Sequence, residues 1–305
     1  MKNRKVYGIG ETVYDIIFKD GKPVTGTPGG STYNCMISLG RCGVDGAFIS
    51  ETGNDKVGDL IVQFLEDNNL SGKYVNQFKD GKSPLALAFL DDNNDAVYNF
   101  YKDYPAQRLE LELPKLKKDD ILVFGSFFAL NEQVRKVVKQ LLEQAYDAKA
   151  IIYYDPNYRS THLPNRELLI DTLIENFQLS TIIRGSDEDF AHIYPNLSLD
   201  EVYGEISKYC PNLICTANKN DVSVITQKLK NSYTVPEIVP VSTIGAGDSF
   251  NAGFVYALIA NDIGYDDVPN LSEETWAKLI NTAILFSGEV CMSYENYVSK
   301  ELLIN

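Results

Sequence analysis

Two hydrophobic periods alternate along the chain. Residues 5–10, Lys-Val-Tyr-Gly-Ile-Gly, form a short apolar run of strand length. Similar β-rich runs recur at 121–124, 150–154, 181–184, 212–216 and 222–226. Apolar residues repeat every three to four positions at 34–39, 57–68, 131–147, 165–177, 199–209, 248–260 and 273–288, which predicts helices there. Strands alternating with helices predict an α/β fold: a mostly parallel central sheet flanked by helices on both faces. Ligands of such sheets bind beyond the carboxyl ends of the strands. Two segments break the rhythm. Residues 16–28 carry Gly21, Pro23, Gly26 and Pro28, and in 73–102 two β-rich runs, Leu85–Leu90 and Val97–Tyr101, flank the turn Asp91–Asp95. Together they predict a small β-sheet lid, spanning about 11–33 and 73–103, on a body built from the rest of a single 1–305 domain.

Composition narrows the chemistry. Of 305 residues, 44% are hydrophobic and 23% charged, which is ordinary for a globular chain. The net charge of −14 repels nucleic acid and anionic membrane, so neither is an expected partner. An anionic ligand needs a local site such as a helix N-terminus or a cluster of amides. The five cysteines, Cys35, Cys42, Cys210, Cys215 and Cys291, contain no C-x-x-C pair, which predicts reduced thiols and a cytoplasmic setting. Only His162 and His192 are present, so neither a His-rich zinc site nor a Ser-His-Asp hydrolase is supported. No signal peptide or membrane-length stretch is legible.

Ser242-Thr243-Ile244-Gly245-Ala246-Gly247-Asp248 precedes a strongly helical run. Two glycines one residue apart allow a tight turn with converging amides, and the helix behind adds its positive end. Asp248 at the rim could take a proton from an attacking hydroxyl. These residues alone fit a plain helix cap equally well. In Pro28-Gly29-Gly30-Ser31-Thr32-Tyr33-Asn34, the glycines permit close approach of a ligand and Asn34 can both donate and accept. Alone, this is equally a Pro-Gly turn entering a helix.

Taken together and in order, the two motifs resemble those of the ribokinase-like (PfkB) carbohydrate kinases, which carry Gly-Gly-x-x-x-Asn and Asp-Thr-x-Gly-Ala-Gly-Asp. The resemblance covers nearly the whole chain and is closest to fructokinase-like members. Gly10-Glu11 with Asp15, Phe100-Tyr101-Lys102, and Asp155-Pro156-Asn157-Tyr158-Arg159 add to it. It implies Asp248 as general base and Gly245, Ala246 and Gly247 as anion hole. It implies Asp15, Gly29, Gly30, Asn34, Lys102 and Arg159 on the sugar side. Ser186, Thr216, Asn218 and Thr243 would face ATP, and Asp189 would hold hydrated Mg²⁺. The substrates implied are ATP and a small sugar, most closely fructose; relatives also dimerise through their lids. A 2-keto-3-deoxygluconate kinase is the alternative within the class, with Arg159 and Lys102 meeting a carboxylate. A non-catalytic sugar-binding regulator is the alternative outside it. A phosphosugar is disfavoured, because residues 29–34 contain no Lys or Arg.

Several positions depart from the family pattern. Ser242 replaces an Asp linked to a bound monovalent cation, which argues against potassium activation. Asn-x-x-Glu has become Ser186-x-x-Asp189. The nucleotide loop, usually Thr-x-Gly-x-x-Gly, reads Thr216 to Asp221 with both glycines lost. The small-residue stretch near the C-terminus reads Cys291-Met292-Ser293-Tyr294-Glu295-Asn296. Three other signals fail. Gly8-Ile9-Gly10 lacks the third glycine of a dinucleotide fingerprint, since Val13 stands there. Gly81-Lys82-Ser83 lacks the first glycine of a P-loop, since Asn76 stands there. The acidic cluster Asp91, Asp92 and Asp95 reads as an exposed hairpin tip.

Overall fold

The computed structural model describes residues 4–90, 96–217 and 220–302. The Asp91–Asp95 turn and Asn218 lie outside the described residues. In chain order the strands are β1 (Val6–Ile9), β2 (Val13–Lys19), β3 (Lys22–Gly29), β4 (Gly46–Gly53), β5 (Leu70–Ser71), β6 (Val75–Phe78), β7 (Lys82–Leu90), β8 (Ala96–Asp103), β9 (Ile121–Gly125), β10 (Ile151–Asp155), β11 (Ile182–Ser186), β12 (Leu213–Thr216), β13 (Val222–Ile225) and β14 (Lys230–Tyr233). The helices are α1 (Ser31–Arg41), α2 (Lys56–Glu66), α3 (Glu132–Asp147), α4 (Arg166–Leu179), α5 (Asp187–Ile193), α6 (Leu199–Ile206), α7 (Ala246–Ala260) and α8 (Glu273–Cys291).

Ten strands form the main sheet in the order β14-β13-β12-β11-β10-β9-β1-β4-β5, with β6 also beside β4. All its pairings are parallel except β12–β13 and β13–β14. The alternation of side chains across the pleat separates two cores. Val6, Ile121, Val123, Ile151 and Tyr153 pack under α1, α7 and α8. Tyr7, Ile9, Leu122, Phe124, Ile152 and Tyr154 pack on the other face, with α3, α4, α5 and α6. Both faces are covered, so the central strands read as continuous apolar runs.

A second sheet has the order β3-β2-β7-β8. Its first hairpin turns at Asp20 and Gly21, both at positive φ (52° and 72°), with Lys19 opposite Lys22. That is the backbone an Asp-Gly two-residue turn supplies. The lid boundaries expected from sequence need correction. Val75–Phe78 pairs with β4 in the main sheet, and Ser31–Tyr33 are the first turn of α1. Residues 13–29 and 82–103 form the small sheet. The five cysteines are free thiols, four of them buried. No helix among the described residues is long and apolar enough to cross a membrane.

Candidate active site

Parallel strands put their carboxyl ends on one edge, and three of the site's side chains stand there: Asp155 ends β10, Ser186 ends β11 and Thr216 ends β12. The N-termini of α1 and α7 reach the same edge. Gly245 precedes α7 with φ +78°, and a Cβ at that position would lie 2.4 Å from the backbone oxygen of Asn296. Glycine is therefore required there on two counts, backbone conformation and space. Ala246 N–H donates to Thr243 O at 3.3 Å, while Gly247 and Asp248 occupy the first turn, where amides have no intrahelical acceptor. The amides of Gly245, Gly247 and Asp248 have no hydrogen-bond acceptor among the described residues, so of the expected anion hole only the Ala246 amide is already engaged.

Asp248 is the centre of this arrangement. Ser31 Oγ donates to its Oδ1 (2.7 Å) and Asn34 Nδ2 to its Oδ2 (2.9 Å). Burial pushes its carboxyl up to about 6. The bonds from Asn34 and Ser31 oppose that rise, and the charges of Asp155 and Arg184 act in opposite directions. Asn34 is buried, and its Oδ1 has no hydrogen-bond partner among the described residues. An incoming hydroxyl would find an unused acceptor beside a proton-accepting carboxylate.

Asp15 lies on β2, opposite Thr27 of β3 and Ala86 of β7. Burial pushes its carboxyl to about 7. Its Oδ2 stands 2.3 Å from where a Gly29 Cβ would be, so the glycine makes room for this carboxylate. Gly30 follows with φ +131° and leads into α1. Lys102 Nζ donates to Glu11 Oε1 (2.7 Å), and Tyr104 OH donates to the same oxygen (2.6 Å). Arg159 is exposed and has no hydrogen bond or ion pair among the described residues, so the structure does not join it to this cluster. Thr243 is also exposed, at the rim.

Asp189 is buried in α5. Its Oδ2 accepts from the Ser186 backbone (2.8 Å) and hydroxyl (2.7 Å), and its own N–H donates to Ser186 Oγ (3.0 Å). This reciprocal capping box fixes the carboxylate at the sheet edge. Burial, then the charge of Asp155, raises its proton affinity; the Ser186 bonds and Arg184 oppose that. Its remaining oxygen fits a water of a hydrated Mg²⁺, which takes few protein ligands. Among the described residues no three His, Cys, Asp or Glu side chains converge as a full protein cage.

Arg184 was missed by sequence reasoning. It lies inside β11, where an apolar strand pattern hides a charged residue. Its Nη1 donates to Asp155 Oδ2 (2.7 Å) and its Nη2 to Thr216 Oγ1 (2.7 Å). A Cβ on Gly247 would lie 3.3 Å from both terminal nitrogens. Burial alone would disfavour its charge, but Asp155, then Tyr153 and Asp189, outweigh burial and hold the guanidinium charged. Asn251 Nδ2 also donates to Asp155 Oδ2 (2.6 Å), and Tyr153 OH donates to Asn251 Oδ1 (3.0 Å). Thr216 is thereby fixed from below, and a buried cation sits beside the first turn of α7.

A proton-accepting carboxylate next to free helix-N-terminal amides suits phosphoryl transfer to a hydroxyl, and fold and family together define the class of ATP-dependent carbohydrate kinases. The chain belongs to the pfkB family: the profile described as pfkB family carbohydrate kinase matches residues 3–275. Among its relatives, "Probable fructokinase-2" of Arabidopsis thaliana is 27% identical over 254 residues, 81% of this chain and 75% of the relative. "Fructokinase-2" of Solanum lycopersicum is 25% identical over 253 residues, 81% and 77% of the two chains. The fold is shared with a fructokinase from Vibrio cholerae O395 solved with fructose, ADP and calcium (TM-score 0.82, 19% identity, 97% of this chain and 96% of that one). It is shared equally with aminoimidazole riboside kinase from Salmonella enterica (TM-score 0.81, 17% identity, 97% and 96%).

Proposed function

We propose that this enzyme transfers the γ-phosphoryl group of ATP to the hydroxymethyl oxygen of a neutral sugar, with fructose as the preferred acceptor. The observation that carries the reading is the Asp248 carboxylate, held by Ser31 and Asn34 at the N-terminus of α7 with its proton affinity raised by burial. Asp248 takes the hydroxyl proton as that oxygen attacks phosphorus, and the bridging bond to ADP breaks. The Gly245, Gly247 and Asp248 amides and the helix end hold the phosphoryl charge, with Gly245 also shaping the turn. Asp15, Gly29, Gly30 and Asn34 face the sugar, and the small sheet excludes water. Thr216, Ser186 and Thr243 lie toward the nucleotide, with Asn218 outside the described residues. Bound Mg²⁺, held through water by Asp189, would neutralise phosphate charge.

Fructose is preferred over a keto-acid because Lys102 is engaged with Glu11 and Arg159 is exposed, with no hydrogen bond to the cluster among the described residues. The fructokinase relatives support the same choice. The exposed β8 side chains Val97, Phe100 and Tyr101 support a lid-to-lid homodimer, which sedimentation would register as twice the chain mass. Free thiols support a reducing, cytoplasmic setting. The test is ADP release across a panel of fructose, tagatose, ribose, 2-keto-3-deoxygluconate, fructose phosphates and nucleosides. Turnover of fructose above the others is expected; selective turnover of the keto-acid, lost in Arg159→Ala, would replace fructose as the acceptor.

A further inference from the structure

The stretch after α8, where the chain departs from its family, is tied to both halves of the site. Cys291 O accepts from Val241 N (2.8 Å) and Ser242 N (3.3 Å). The Asn296 backbone lies against Gly245 so closely that no side chain fits between them. Residues 291–296 therefore form the floor of the turn that opens α7.

Arg41, at the end of α1, holds this strap. Its Nη1 donates to Glu295 Oε2 (2.5 Å) and Val298 O (2.9 Å), and its Nε donates to Asn68 Oδ1 (2.8 Å). Its guanidinium lies 4.5 Å from the centroid of the Tyr297 ring. The Arg41 side chain is 9% exposed, and its bonds to Val298 O and Asn68 are partly shielded from solvent, whereas Glu295 is exposed and its ion pair with Arg41 is screened by water and salt. A planar fork that bonds in three directions and stacks on a ring is a task lysine cannot copy. Tyr297 is buried, and its hydroxyl shares a hydrogen bond with Thr27 Oγ1 (2.8 Å). Thr27 is the cross-strand neighbour of Asp15. Val298 N donates to Ser38 Oγ (3.2 Å), which anchors the strap's far end to α1.

We propose that Arg41 and Tyr297 are positioning residues: through the 295–298 strap they hold the Gly245 turn in register with the strand pair that carries Asp15. Neither residue touches the reacting groups. Their role is to keep the anion-binding end of the site and the sugar-binding end at a fixed separation, which phosphoryl transfer requires because it depends on alignment. The proposal rests on the kinase reading above.

The test uses the full chain as Arg41→Met, Arg41→Lys and Tyr297→Phe, with two readouts: amide hydrogen exchange over residues 241–247, and kcat and KM for the sugar. In Arg41→Met, exchange over 241–247 is expected to rise about tenfold or more, and kcat to fall about 10–100-fold. Arg41→Lys keeps the charge without the fork and recovers only part of both. Tyr297→Phe loses the bond to Thr27; it is expected to raise the sugar KM about fivefold, the worth of one hydrogen bond, and to lower kcat by less than Arg41→Met does. A folded Arg41→Met with a lower Tm but wild-type kcat and wild-type exchange over 241–247 would overturn the proposal. If the wild type phosphorylated no sugar, the functional reading would fail, yet the exchange result, which needs no substrate, would still decide whether the brace exists. Should Arg41→Met not fold, Glu295→Gln carries the same exchange prediction at about threefold.

Discussion

At the scale of single residues the site is a contest between burial and hydrogen bonding. Burial raises the proton affinity of Asp248, while Ser31 and Asn34 stabilise the ionised form. With its carboxyl near 6, kcat/KM should fall about tenfold per pH unit below that value, because the base must be ionised in the free enzyme. Ser31→Ala removes a bond that favours the ionised form, so a pH–rate profile of that variant should show the acid limb moved upward. Stability follows the same carboxyl. Its folded value exceeds the roughly 3.9 of an unfolded Asp, so the stabilisation from protonation is complete below about pH 4 and lost as pH rises through 6. Thermal melts of Asp248→Asn should therefore lie above wild type at pH 8, with the gap closing toward pH 4. Arg184 is the opposite case, a buried cation whose removal leaves Asp155 uncompensated. Arg184→Met should destabilise the protein by about 3–5 kcal/mol in urea, and adding Asp155→Asn should restore part of that. Equal stability of Arg184→Met and wild type would remove the ion pair from the account.

At the scale of elements, what the sequence reveals depends on how far each element obeys its period. The helices α3 and α8, with an apolar face, and the apolar strands β1, β9, β10 and β11 were legible from their repeat, whereas α7, buried on nearly every side, and α4, with only a weak apolar stripe, were legible from their length. The pattern missed β4, because a buried strand reading Gly-Ala-Phe-Ile-Ser-Glu-Thr-Gly satisfies its polar groups by long-range contacts such as the Glu51–Arg108 ion pair. Helix α5 was missed because seven residues opening with three acids show no apolar face; its start is set by the Ser186–Asp189 capping box. The lid's first hairpin looked irregular because its Gly and Pro content masks strands, although Asp20-Gly21 signals the turn. Of the site, Asp248, Asn34 and Gly245 were legible from glycine spacing, whereas the bonds of Ser31 and Arg184 exist only after distant segments meet. Two predictions belong here. Asp189→Asn keeps an acceptor for the cap but loses the charge, so the Mg²⁺ needed for half-maximal rate should rise about tenfold with little change in Tm. The Ser242 hydroxyl already accepts from Ile244 N (3.2 Å) and brings no charge to attract a cation, so exchanging potassium for tetramethylammonium should leave kcat within about twofold.

At the scale of the whole molecule, the net charge of −14 opposes an anionic nucleotide and leaves a neutral sugar unaffected. Raising ionic strength from low salt to about 0.15 M shortens the Debye length to about 8 Å, so long-range repulsion fades while the local helix-end attraction persists. The KM for ATP-Mg²⁺ should then fall about twofold, with no change in the KM for sugar. A rising nucleotide KM would mean that local attraction, not the global field, governs capture. Such a field makes the local construction at the edge of the sheet necessary: amides at the start of α7, a buried Arg184 beneath them, and a small sheet to exclude water.

The measurement that bears most directly on this account is ATP-dependent phosphorylation of fructose by wild type and by folded Asp248→Asn, followed by ADP release at pH 7.5. The account predicts turnover by the wild type and a loss of kcat of about 10²–10⁴-fold in the variant, with the KM for fructose little changed. Equal turnover by both proteins would contradict the assignment of Asp248 as the base. Absence of turnover by wild type on every sugar of the panel would contradict the kinase reading and favour a sugar-binding regulator that keeps the fold.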